Sequence, residues 1–128
     1  MLFSLCALLP KPCAAAEDMR FVDAVGDSGY YVDVNSVSYE SNALVNSRIA
    51  VKKAGLNRMY VYAVQFDRVK RTYQIYASQV IKYDNHEILE NKNTGEPPKF
   101  YSAHSPMNTI VDYLFAIGGA KVPPPAAE

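Results

Sequence analysis

The two histidines, His86 and His104, are the side chains in this sequence best suited to acid–base or metal chemistry. His86 stands two residues after Asp84 in a predicted turn, and His104 lies just before a predicted helix. A metal site or an acid–base pair needs both histidines close together with further ligands. The sequence shows no HExxH, paired-glutamate, nucleophile-elbow or phosphate-loop spacing. We therefore expect exposed turn histidines, no catalytic residue, no metal or cofactor, and a protein that is not an enzyme.

Six basic residues lie beside predicted turns and are candidates for binding a partner: Lys52, Lys53, Arg58, Arg68, Lys70 and Arg71. The first three flank a turn around Gly55, and the other three flank the next turn along the chain. Because consecutive turns of an antiparallel meander lie at opposite ends of the sheet, we expect two small patches. Each patch has the charge to meet an acidic protein surface or a sulfated glycan. Ordinary solvated turn charge is the favoured interpretation.

Two tyrosines, Tyr30 and Tyr76, are further candidates for a binding surface. Tyr30 adjoins Tyr31 in a predicted strand, so one of these two rings must face away from whatever the other packs on. Tyr76 falls on the more polar face of its strand. Exposed tyrosines are common at protein interfaces because the ring is rigid and its hydroxyl tolerates water. Cross-strand packing within the sheet is the favoured alternative.

The composition indicates a single β-rich domain. A chain of 128 residues suffices for one domain, and ten tyrosines without a tryptophan favour strands. Lys and Arg number 13, as do Asp and Glu, so no overall field favours nucleic acid or an anionic membrane.

Residues 1–16 have the features of a signal peptide, which is favoured over an ordered apolar strand or helix. The apolar run at residues 2–9 is shorter than the about 20 residues that span a bilayer, and Ala14 to Ala16 supply small residues for cleavage after Ala16. No Lys or Arg precedes the apolar run, so we expect a basic region upstream of the given start. The protein is predicted to be exported, to the cell surface, the medium or the periplasm, without a transmembrane span.

Both cysteines, Cys6 and Cys13, fall inside the predicted signal peptide. The mature chain then has no disulfide, no thiolate metal site and no cysteine nucleophile. Cys13 follows Lys11 and Pro12, which is not the context of a lipid acceptor, so lipid anchoring at Cys13 is not expected.

Residues 58–84 organise the predicted fold as a hairpin of two alternating runs around a charged turn at 67–70. Alternation puts one set on one face of the first strand: Tyr60, Tyr62, Val64 and Phe66. It puts another set on one face of the second strand, with Gln79 as the polar exception: Tyr73, Ile75, Ala77, Ile81 and Tyr83. The pattern predicts a sheet that is covered on one side and wet on the other.

The remaining elements complete an α+β fold. Further strands are predicted at residues 20–25, 29–34, 43–53 and 86–90, with a turn or one short helical turn at 35–39 and a return of Phe100 and Tyr101 to the core. The best helix spans residues 105–116: Ser105 suits the N-cap and Pro106 the first helical position. One face of this helix carries an apolar stripe: Met107, Ile110, Val111, Leu114 and Phe115.

We therefore predict a single twisted antiparallel β-sheet of five or six strands with one C-terminal α-helix packed on it. The domain is predicted to span residues 17–119, with a flexible Pro-rich tail at 120–128.

Several short patterns suggest a family: an aromatic first strand, a Gly-Tyr-Tyr-Val-Asp return, a Val-x-Lys-Lys strand and a Ser-Pro helix start. The residues that carry them are Phe21, Tyr30, Tyr31, Asp33, Val51, Lys52, Tyr73, Tyr83, Asp84, Ser105 and Pro106. Over residues 20–117 the chain resembles the surface-adhesin protein E family of small bacterial envelope proteins. The resemblance implies an antiparallel sheet with a terminal helix and, for one branch, binding of host proteins such as vitronectin and laminin. Phe21 and Phe100 stand where tryptophan is common in that family, and the resemblance assigns no binding residues.

Two functional hypotheses follow. The first is a non-catalytic, surface-exposed or secreted envelope protein, adhesin-like, that binds a macromolecular partner such as a host matrix protein. The alternative is a periplasmic structural or accessory protein with a partner in its own envelope. A small hydrolase is disfavoured, because it needs a cleft with convergent polar groups and a perturbed carboxylate or histidine.

Overall fold

The computed structural model describes residues 17–125. Within that range the chain forms seven strands and one helix: β1 (Met19–Val25), β2 (Ser28–Tyr39), β3 (Leu44–Lys53), β4 (Arg58–Asp67), β5 (Thr72–Lys82), β6 (Ile88–Lys92), β7 (Lys99–Phe100) and α1 (Pro106–Gly118). All the strands belong to one antiparallel sheet in chain order, and β6 and β7 share the outer edge of β5. The predicted fold class is confirmed. The predicted signal peptide, with Cys6 and Cys13, lies outside the described residues, as do residues 126–128.

Short turns join neighbouring strands, so the sheet is a meander. Val25 pairs with Ser28, which leaves Gly26 and Asp27 as a two-residue turn. Gly26 has a φ of 60°, a region that glycine enters without a Cβ clash. Asn57 takes a left-handed φ of 52° after the 3-10 turn Ala54–Leu56, as asparagine does more readily than most residues. The turn predicted there is confirmed.

Helix α1 covers β1 and β2 with its apolar stripe. Ile110, Val111 and Leu114 are buried, and Met107 and Phe115 pack at the margin of the same cluster. The hydroxyl of Ser105 accepts the backbone N–H of Asn108 at 3.4 Å, which caps the first turn as predicted. The stripe and the cap are both confirmed.

The C-terminal end of α1 packs closely against β2. The Tyr39 hydroxyl donates to the carbonyl of Leu114. A Cβ placed on Gly118 would lie 2.7 Å from the Tyr39 ring and 2.4 Å from Val122, so only glycine allows this approach. Gly119 then leaves the helix with a φ of 53°. Residues 119–121 form a 3-10 turn, and the flexibility of the tail beyond it stays a prediction.

Strand β2 corrects the turn predicted at residues 35–39, because the strand runs to Tyr39 across an irregularity after Asp33. Ser36 sits in this irregularity. Its hydroxyl donates to the carbonyl of Asp33 at 2.7 Å and accepts the backbone N–H of Arg48 at 2.8 Å. The Ser36 side chain thereby replaces a backbone hydrogen bond that is missing between β2 and β3, and the chain stays extended.

A β-bulge in β5 corrects the predicted face of the hairpin's second strand. Ala63 pairs with Ala77 whereas Val64 pairs with Ile75, so Tyr76 is an extra residue on β5. An inserted residue reverses the alternation of side chains. Ile75 therefore packs on the helix side, and Ala77 lies on the opposite side, so the predicted single apolar face of β5 is wrong.

Two predictions near the end of the sheet also need correction. The sixth strand begins later than expected, at Ile88, and all of its residues are exposed. Tyr101 is buried as predicted, but Phe100 is 82% exposed because it pairs with Thr72 at the outer edge of β5. Within residues 17–125, no helix combines the length and apolar character that crossing a bilayer requires.

We expect the fold to lose stability above about pH 10. Burial raises the pKa of Tyr39, Tyr62 and Tyr101. These hydroxyls keep their protons to a higher pH in the folded than in the unfolded state, so ionisation favours unfolding as the pH rises through this window. Tyr62→Phe should make the alkaline fall in Tm shallower than in the wild-type protein. Equal slopes for the variant and the wild-type protein in thermal melts would contradict the assignment to burial.

Candidate binding face

The sheet face that points away from α1 is here called the open face. Strand register places one row of its residues across five strands: Tyr31, Ala50, Val61, Gln79 and Asn91. The hairpin pattern predicted that this side of the sheet would be wet, but part of it is buried. A second small cluster is buried there, formed by Ala50, Met59, Val61 and Ile81 with Met19 and Tyr31 at its margin.

A solvent-open groove of about 580 Å³ runs over β4 and β5 on the open face. Its lining combines small apolar and polar side chains: Arg48, Val61, Ala63, Ala77, Ser78, Gln79, Asn91 and Asn93. A smaller depression of about 260 Å³ shares Arg48 and Ala63 with it and extends to Asn46 and Tyr76. The volume of the larger groove falls within the range of about 300–1,000 Å³ that is usual for small-ligand sites.

The floor of the groove is low because two alanines face each other at its centre. Ala63 on β4 pairs directly with Ala77 on β5. β-branched and aromatic residues are commoner than alanine in strands. Their larger side chains would fill the space above the groove floor. The bulge also places Tyr76 beside the floor, where its ring is 45% exposed and its hydroxyl donates to Gln74 Oε1 at 3.3 Å.

One wall of the groove comes from β6 and the segment that follows it. The backbone N–H of Glu96 donates to the carbonyl of Ile75 at 2.9 Å, and Gln74 Nε2 donates to the carbonyl of Glu96 at 3.0 Å. These bonds fix the segment against β5 in the gap between β6 and β7. Asn91 and Asn93 are thereby held along the groove.

Arg48 forms the opposite wall, and its charge is already compensated. Its guanidinium lies 2.7 Å from Glu17 and 3.8 Å from the carboxylate of Asp33. Asp33 is only 3% exposed, and its Oδ1 accepts the backbone N–H groups of Asp18 at 3.0 Å and Asn35 at 3.1 Å. The wall therefore offers a positioned guanidinium without a net positive field.

Arg20 lowers the pKa of the neighbouring Asp18 at the start of β1. Its guanidinium makes two hydrogen bonds to the carboxylate of Asp18, at 2.8 and 2.7 Å, and these bonds hold the pKa of Asp18 below its usual value. Both side chains are solvent-accessible, so this surface pair contributes little to stability.

The basic residues predicted as partner-binding lie at two opposite ends of the sheet, outside the groove lining. At one end, Lys52 places its ammonium 4.1 Å from the centre of the Tyr31 ring, and Lys53 pairs with Arg58 across β3 and β4. Arg58 donates to the carbonyl of Asn57 at 3.1 Å. These contacts hold Lys52 and Arg58 against their own sheet.

At the other end of the sheet, Arg68 supports the fold while its neighbours project into solvent. Arg68 donates to the carbonyl of Asn42 at 2.7 Å, and its guanidinium lies 3.8 Å from the centre of the Phe115 ring. Lys70 and Arg71 are exposed in the turn. The two ends match the predicted division into separate patches, and binding of a partner by either patch stays a prediction.

The two tyrosines predicted as partner-binding have different surroundings. Tyr30 packs against the main core on the helix side, so its ring contributes to the fold. Tyr76 lines the smaller depression that adjoins the groove. Among the predicted residues, Tyr76 alone belongs to the lining of the two depressions on the open face.

The histidines stand in separate exposed turns. His86 precedes β6 with a φ of 63°, and His104 precedes α1. Over residues 17–125, no hydrogen bond or ion pair joins them, and no cluster of three His, Cys, Asp or Glu side chains is arranged to hold a metal ion.

Sequence reasoning missed most of the groove, namely Arg48, Ala63, Gln79, Asn91 and Asn93. Their common position depends on register across four strands and on the bulge at Tyr76. The one local signal was an alanine in each of two strands that are rich in β-branched and aromatic residues.

Comparison with known proteins adds no relative: no family model matches the chain, and neither a curated protein nor a solved structure matches it.

Proposed function

We propose that this protein is a non-catalytic, exported binding protein of the bacterial envelope, and that the open face is its binding surface. The groove over β4 and β5 carries the proposal. It is a concave, solvent-open surface with polar walls, on a face that α1 leaves free. A sheet face that served only to build the core would be covered or evenly solvated.

The lining chemistry favours binding over catalysis. It provides side-chain amides, a hydroxyl and an ion-paired guanidinium around an apolar floor. Such groups donate and accept hydrogen bonds but offer neither a general base nor an activated nucleophile. The same combination of an apolar floor and a few polar groups is common in recognition sites.

The exported location rests on the signal-like residues 1–16, and the adhesin-like role rests on the resemblance to the surface-adhesin protein E family. By that role the partner is a macromolecule outside the cell, such as a host matrix protein. The exposed ends of the sheet, with Lys70 and Arg71 at one of them, extend the area that such a partner would contact.

Protease treatment of intact native cells, combined with fractionation, tests the location. We expect the domain to be digested from outside without opening the envelope. Protection until the outer envelope is opened would instead favour the periplasmic accessory protein with an endogenous partner. Recovery in the cytoplasm would contradict both.

Capture on immobilised vitronectin, laminin and native envelope extract tests the binding. We expect the purified protein to be retained by at least one of them. Filling the groove with Ala63→Ile should reduce retention at least about tenfold, which corresponds to the loss of roughly 1.4 kcal/mol of contact free energy. Ala24→Ile makes the same change at an exposed position of β1 and should leave retention unchanged. Equal retention of both variants would show that the groove is not the binding surface.

A further inference from the structure

We infer that the groove on the open face binds a neutral oligosaccharide. This inference rests on the proposed function, since it names the ligand class of the same surface. Three features of the groove support it: the shape of its floor, the unpaired amides of its wall and the compensated charge of Arg48.

The floor suits the flat face of a sugar ring. Ala63 and Ala77 face each other there, with Val61 adjoining, so the surface is apolar and has no deep recess. A pyranose ring presents C–H groups on its faces and hydroxyls around its edge. The exposed ring of Tyr76, beside the floor, offers a second flat apolar surface for stacking.

The wall supplies hydrogen-bonding groups that the fold does not use. Within residues 17–125, none of the hydrogen bonds engages the side-chain amides of Gln79, Asn91 or Asn93. Each amide carries a carbonyl acceptor beside an NH₂ donor, which matches two neighbouring hydroxyls of a sugar. Three such amides along one groove can follow successive rings of a chain, and the volume of about 580 Å³ accommodates a short oligosaccharide.

The charges favour a neutral ligand. Arg48 is the charged residue of the lining, and Glu17 and Asp33 both face it. A sulfate or carboxylate on the ligand would have to compete with these two acids for the same guanidinium. Arg48 can still donate hydrogen bonds to hydroxyl oxygens, which carry no net charge.

An extended peptide fits this groove less well. Peptide strands bind at free strand edges or need pockets for alternate side chains. The groove lies over β4 and β5, whose backbone groups are paired with each other, and its alanine floor offers no such pocket.

Titration calorimetry of the purified protein tests the inference with chitotetraose, cellotetraose and maltotetraose as neutral probes and a heparin tetrasaccharide as the sulfated probe. We expect at least one neutral probe to bind, and both Ala63→Ile and Gln79→Ala to weaken it at least about tenfold. Ala24→Ile, on the same face outside the groove, and Asn108→Ala, on the helix, should retain wild-type affinity. Isoleucine is a better strand former than alanine, so a folding failure is not expected for Ala63→Ile, and Gln79→Ala keeps the test decisive if it occurs.

Binding of no neutral probe, preference for the heparin probe, or unchanged affinity in Ala63→Ile and Gln79→Ala would each overturn the inference. Capture on matrix protein or envelope extract by the same preparations separates this failure from that of the proposed function. Retention there without saccharide binding leaves the proposed function standing, whereas loss of both removes it as well.

Discussion

Replacing Leu114 with alanine should lower the free energy of unfolding by about 2–5 kcal/mol. Leu114 has no exposed surface and lies at the centre of the buried stripe of α1, between the helix and the sheet. Truncation removes its apolar contacts and leaves a cavity that neighbouring β-strands, fixed by their ladder, fill only partly. A typical domain has a free energy of unfolding of about 5–15 kcal/mol, so this loss is a large fraction of the total.

Urea denaturation measures this loss, with the midpoint expected to fall and the slope to stay unchanged. Ile117→Ala is the matched control, because Ile117 lies three residues further along the same helix and is 44% exposed. We expect it to change stability by less than about 0.5 kcal/mol. If the two variants are equally mild, α1 does not dock through this stripe.

Helix α1 was predictable because its signals are local. Ser105, Pro106 and the apolar spacing all lie within the segment that they organise, and the structure confirms each of them. The antiparallel meander was predictable for a similar reason: its turns are short, and neighbouring strands are also neighbours in the chain.

The faces of β5 were not predictable, because the bulge depends on which residues pair across β4 and β5. Nothing in the alternation around Tyr76 marks it as the extra residue, and one insertion transfers every later side chain to the other face. The turn predicted at residues 35–39 failed for a related reason. The sequence of residues 35–39 is typical of a turn, but the Ser36 hydroxyl bridges β2 and β3 there and the strand continues.

The groove was not predictable either, because its position depends on the bulge and on cross-strand pairing. Ala77 and Gln79 reach the open face only because the bulge turns them there, and Asn91 joins them through pairing of β5 with β6. The basic residues that the sequence emphasised occupy the two ends of the sheet. Charge at turns is visible in a sequence, whereas a shallow surface made from four strands appears only after the register is known.

Replacing Asp33 with alanine should destabilise the fold by about 2–3 kcal/mol. The buried carboxylate accepts the backbone N–H groups of Asp18 and Asn35 and lies 3.8 Å from Arg48. Removing it leaves two backbone donors without this acceptor and a half-buried guanidinium whose remaining acidic partner is Glu17. Loss of one member of such a charged network costs more than the pair contributes, since the other members keep their desolvation cost.

The consequence of Asp33→Ala should be largest at the first strand. Asp18 is tied to β2 both through Asp33 and through its own carbonyl, which accepts the N–H of Val34 at 3.0 Å. We therefore expect Asp33→Ala to accelerate amide exchange more in β1 than in β4, relative to the wild-type protein, besides lowering the urea midpoint. Asp84→Ala, at an exposed acid in the turn after β5, should change stability by less than about 0.5 kcal/mol. Equal acceleration of exchange in β1 and β4 of Asp33→Ala would mean that the carboxylate does not anchor the edge of the sheet.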